Sequence, residues 1–63
     1  MKRTDLLKQL RKEAKAQGLA YWEEEGAKHT HVHFGDDKKT TVPRHNEINE
    51  HTAKGILKYM RGE

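Results

Sequence analysis

Apolar residues recur along the chain at two different periods, and the changes of period divide it into elements. In "RTDLLKQLRKEAKAQG" (3–18), Leu6, Leu7, Leu10 and Ala14 fall at helical spacing, which predicts an amphipathic helix with Thr4 as N-cap and Gly18 just past its end. From Leu19 the period becomes two. "LAYWEE" (19–24) and "HTHVHF" (29–34) read as strands joined by a short turn at Gly26, and Gly35-Asp36-Asp37-Lys38 signals a second turn. The third strand is "KTTV" (39–42), closed by Pro43, which cannot donate to a ladder. "NEHTAKGILKYM" (49–60) then returns to helical spacing, with Ala53, Ile56, Leu57 and Met60 on one face, Asn49 as N-cap and Gly62 beyond the end.

The expected fold class is therefore α+β. A single domain spans residues 1–63 in the order α-β-β-β-α, with a three-stranded antiparallel meander and both helices packed on one face of it. Alternation along the second strand sends Thr30, Val32 and Phe34 one way and His29, His31 and His33 the other. Burying Val32 and Phe34 turns all three histidines outward. On the third strand Thr40 and Val42 share the inner face, leaving Lys39 and Thr41 beside the histidines. Tyr21 and Trp22 point to opposite faces, and the larger ring, Trp22, is the one expected in the core.

Composition narrows the setting. With 32% hydrophobic and 37% charged residues in 63, the core is thin, and a domain of this size hides only about 60% of the surface its unfolded chain exposes. The absence of cysteine removes both a disulfide framework and a thiolate zinc site. No apolar run is long enough for a signal peptide or a membrane span, so the cytoplasm is the expected compartment and no membrane partner is implied. The net charge of +3 is unevenly placed. Residues 1–17 carry +4, residues 18–27 carry −3 and residues 28–63 carry +2. Such clustering fits a polyanion, because released counterions favour binding to phosphates; it equally fits a solvated helix face.

The segment "GAKHTHVHF" (26–34) concentrates the candidate chemistry. A metal site, an acid/base site, a phosphate grip and a merely polar surface are the four readings of its histidines. Two imidazoles at alternate strand positions can share a zinc or copper ion, but His29 and His33 lie about 13 Å apart along an extended strand at about 3.3 Å per residue. All three cannot reach one ion. The acid/base reading needs only one imidazole, whose ordinary pKa near 6.5 lets it take and give a proton at neutral pH. RNA offers a matching reaction, in which a base removes the 2′-hydroxyl proton and cations such as Lys28 or Arg44 stabilise the charge gathering at phosphorus. No metal or other cofactor is required.

"GAKH", "TTVPRH" followed by "EI", and "AKGILK" together resemble the HicA family of toxin–antitoxin mRNA interferases, over almost the whole chain. The matching positions are Met1, Lys2, Asp5, Leu6 and Gly18, then Gly26 and His29, then Val42, Pro43, Arg44 and His45, then Ile56, Leu57 and Lys58. The resemblance implies a fold similar to a double-stranded-RNA-binding domain. It also implies an RNA endonuclease acting on mRNA, with His29 as its essential catalytic residue, and a HicB-type antitoxin partner that covers the site. Lys28, Lys39, Arg44 and His31 are the accompanying candidates for RNA or phosphate contact; His33 and His45 carry no assigned duty. Ala27 departs from the family's small serine after the glycine, which leaves backbone donors or Lys28 to meet a phosphate there. The alternative expectation is a non-catalytic module of the same fold that binds nucleic acid or a partner protein.

Overall fold

The computed structural model describes residues 1–63. It comprises α1 (Arg3–Ala16), β1 (Tyr21–Glu25), β2 (His29–Phe34), β3 (Lys38–Pro43) and α2 (Glu50–Arg61), with the strands antiparallel in the order β1-β2-β3. This is the α-β-β-β-α arrangement expected. No helix is long and apolar enough to cross a membrane.

Both helices pack on one face of the sheet. Leu6, Leu7, Leu10 and Ala14 of α1 meet Ala53, Leu57 and Met60 of α2, with Val32, Phe34 and Val42 from the strands and Ile48 from the β3–α2 connection, in one buried cluster. Thr30 is the one buried polar residue. Alternation on β2 follows the expected parity: Thr30, Val32 and Phe34 are buried, His29 is exposed, and His31 and His33 are half-buried on the opposite face.

Gly18 is needed where α1 stops. Its φ of +72° lets Gly18 donate to the Lys15 carbonyl and Leu19 to the Ala14 carbonyl, the paired bonds of a Schellman turn, and Leu19 packs against the core. Asn49 caps α2 as expected, its Oδ1 accepting from the His51 N–H at 2.8 Å.

Two expectations are corrected. The N-cap of α1 is Lys2, not Thr4, and it supplies no side-chain cap. The reason is tertiary: Lys2 pairs with Glu47 in an isolated bridge, Arg3 donates its N–H to the Asn46 carbonyl, and Met1 and Ile48 bond through their backbones. Those long-range bonds take over what a local cap would do, and Thr4 falls inside the first turn. The second correction concerns the aromatic pair. Tyr21, not Trp22, faces the core, because Tyr21 is registered opposite buried Phe34, and directly opposed residues share a face. Their rings meet at 6.5 Å, tilted by 53°. Trp22, registered opposite His33, is thrown to the outer face and left 45% exposed.

Candidate functional site

The β1–β2 turn, Gly26-Ala27-Lys28, is closed by the Gly26 N–H donating to the His29 carbonyl at 2.9 Å. Gly26 is required there for space. A Cβ on it would lie 2.8 Å from His31 Nε2 and 3.0 Å from the His29 carbonyl oxygen. The imidazole can swing aside, but the carbonyl belongs to the backbone that carries His29. Gly26→Ala is therefore expected to cost about 1–3 kcal/mol of stability, read as a lowered urea midpoint, as for other overpacked sites.

Four side chains from separate parts of the chain brace this turn. Arg3, at the start of α1, donates Nη2 to Thr30 Oγ1 at 2.5 Å and Nε to the Pro43 carbonyl at 3.2 Å. The buried Thr30 hydroxyl in turn donates to Glu25 Oε1 at 2.9 Å. Arg44, just past β3, donates to the same Glu25 oxygen at 2.8 Å and to the Gly26 carbonyl. Thr30's hydroxyl, and after it Arg44's guanidinium, hold the Glu25 carboxyl below its ordinary range.

A group ionised more readily when folded adds stability above its unfolded pKa, and that contribution is lost as pH falls through the depressed folded value. The thermal-midpoint advantage of the native chain over Glu25→Gln is thus expected to hold at neutral pH and to shrink as pH drops from about 4.5 downward. An advantage that stays constant from pH 7 to pH 3 would remove Glu25 from the brace.

His29 is the first residue of β2, opposite Pro43, with its backbone held by this network and its imidazole exposed. The fold brings Lys28 from the turn and Arg44 from beyond Pro43 to the same end of the sheet. Lys39 is elsewhere. It pairs with His33, four residues along β2, about 13 Å from His29 at about 3.3 Å per residue. His31 leans over the Gly26 turn, and exposed His45 follows Arg44. No three histidine, aspartate or glutamate side chains converge on one point that could hold a metal ion.

The acidic run before the turn is divided among different partners. Glu23 accepts from the Tyr21 hydroxyl and pairs with Arg11 at 3.6 Å; Glu24 lies 3.4 Å from His33 Nε2; Glu25 belongs to the brace. Burial, then the bond to Glu23, pushes the Tyr21 hydroxyl well above its usual range. None of the surface clefts takes in His29, which stands on open surface. Arg3 and Thr30 carried no local signal of their role, since they meet 27 residues apart in sequence. Against family models, curated proteins and solved structures, the chain finds no match.

Proposed function

We propose that this chain is a HicA-type mRNA interferase, an RNA endonuclease that cuts without a metal and is neutralised by a HicB-type antitoxin covering the His29 end of the sheet. The observation that carries the reading is the exposed His29 imidazole on a braced backbone, with Lys28 and Arg44 at the same end. His29 takes the proton from a ribose 2′-hydroxyl as that oxygen attacks the adjacent phosphorus. The new 2′-O–P bond forms as the P–O5′ bond breaks, and the departing 5′ oxygen is protonated by the imidazolium or by water. Charge gathering on the phosphoryl oxygens is met by Lys28 and by the guanidinium N–H groups of Arg44 that Glu25 and Gly26 leave over.

The basic first helix, carrying Lys8, Arg11, Lys12 and Lys15, supports RNA as the substrate. A second reading, a binding module without cleavage, draws on the exposed aromatic at the other end of the outer face. The two separate on one gel. The purified full chain, incubated with a structured messenger in the presence of EDTA, is expected to produce fragments; intact messenger together with retained RNA binding would favour the module.

A further inference from the structure

The molecule leaves two large hydrophobic side chains exposed, Trp22 at 45% and Tyr59 at 56%, and both line the same cleft. That cleft, of about 480 Å³, runs from the outer face of the sheet past the β2–β3 turn to α2, and His33, Lys38 and Lys39 also line it. Within it the Trp22 and His33 rings are stacked, with centroids 3.7 Å apart and planes within 5°. Lys39 is registered opposite His33 on β3, so Trp22, His33 and Lys39 form one row across the outer face.

β1 is an edge strand, so no strand lies beyond Trp22. One face of the indole is covered by His33 and the other is open. His33 Nε2 is buried and makes no hydrogen bond, with Glu24 Oε1 3.4 Å away, so the stack on Trp22 is the contact that orients this ring.

We propose that the open face of Trp22 is a stacking platform for a base of single-stranded RNA, with Lys39 meeting the neighbouring phosphate. The proposal rests on RNA being the substrate and deepens that reading by naming where the strand runs away from His29. A flat π surface accepts any base, and Lys39, two strands along the same row at about 4.8 Å per strand, is placed to meet the backbone of the strand whose base stacks there, the combination that sequence-tolerant single-strand binding uses. The spacing is suitable: His29 and His33 stand about 13 Å apart on the same face of β2, at about 3.3 Å per residue, so one strand can touch both. Asp36 and Asp37 line the cleft as well and repel phosphate.

Trp22 is the chain's single tryptophan, so tryptophan emission, excited where the two tyrosines do not absorb, reports on this site alone. The test uses the full chain in a His29→Ala background, so that nothing is cut, with a fluorescein-labelled single-stranded oligoribonucleotide. Binding is expected to quench Trp22. Trp22→Ala should weaken affinity by about tenfold, the order measured for losing one base–aromatic stack, while Trp22→Phe keeps most of it. If Trp22→Ala fails to fold, quenching and the Trp22→Phe affinity still decide the matter. Unquenched fluorescence with unchanged affinity overturns the platform and leaves cleavage at His29 standing. Quenching and weakened Trp22→Ala binding in a chain whose native form cuts nothing support the platform and end the nuclease reading. A chain that binds no RNA in any form ends both.

Discussion

His29→Ala is expected to lower RNA cleavage by about 10²–10⁴-fold, the usual worth of a positioned general acid or base, while RNA binding stays near that of the native chain. The split follows from the geometry. The imidazole is exposed and takes no part in the bonds that brace the turn, so its removal leaves Arg3, Thr30, Glu25 and Arg44 as they are. Lys28 and Arg44 still offer their charges to phosphate. Cleavage is read as the rate of loss of full-length messenger, and binding from the shift of a labelled oligonucleotide, both with EDTA present. Cleavage at the native rate by the alanine variant would reject His29 as the acid/base group; equal loss of binding and cleavage would make it a contact residue only.

Phe34→Ala should be the most damaging single change to the fold. Phe34 is fully buried and stands where β2, Tyr21 and the helices meet. Truncating a buried phenylalanine costs about 3–5 kcal/mol, through lost transfer free energy and the cavity left behind. A chain of this length has roughly 3–9 kcal/mol of stability in all, at about 0.05–0.15 kcal/mol per residue. The variant is therefore expected to be largely unfolded at 37 °C or to melt far below the native chain. Far-ultraviolet circular dichroism during a urea titration measures this directly, and a midpoint near the native value would show that the site collapses around the smaller side chain. The same change should abolish cleavage only through unfolding, so activity and helical signal should fall together.

Much of this molecule is legible in one dimension. The order of elements, the buried stripe of each helix and the inward set Thr30, Val32 and Phe34 follow from periods of 3.6 and 2, and the Asn49 cap and the stop at Gly18 from the capping chemistry of those two residues. These features are local, because a helix turn or a strand pleat relates residues only a few positions apart. The outward placement of His29 follows in the same way, once Val32 and Phe34 are inside.

Pairing between distant segments decided the rest. Whether Tyr21 or Trp22 is buried depends on the register of β1 against β2, and a slip of one residue would exchange them. The start of α1 is set by bonds from Met1, Lys2 and Arg3 to residues 46–48, against which a local Thr4 cap could not compete. Arg44 and Lys39 are near neighbours in sequence, yet β3 separates them along its length: Arg44, just past its end, bonds to Glu25 and the Gly26 turn, while Lys39, near its start, stands beside the Trp22–His33 stack. Sequence by itself determined the elements, their order and which positions of each share a face; tertiary structure decided which of Tyr21 and Trp22 turns to the core and which solvent-facing groups stand together, because both are set by strand register and chain reversal, and neither leaves a period to read.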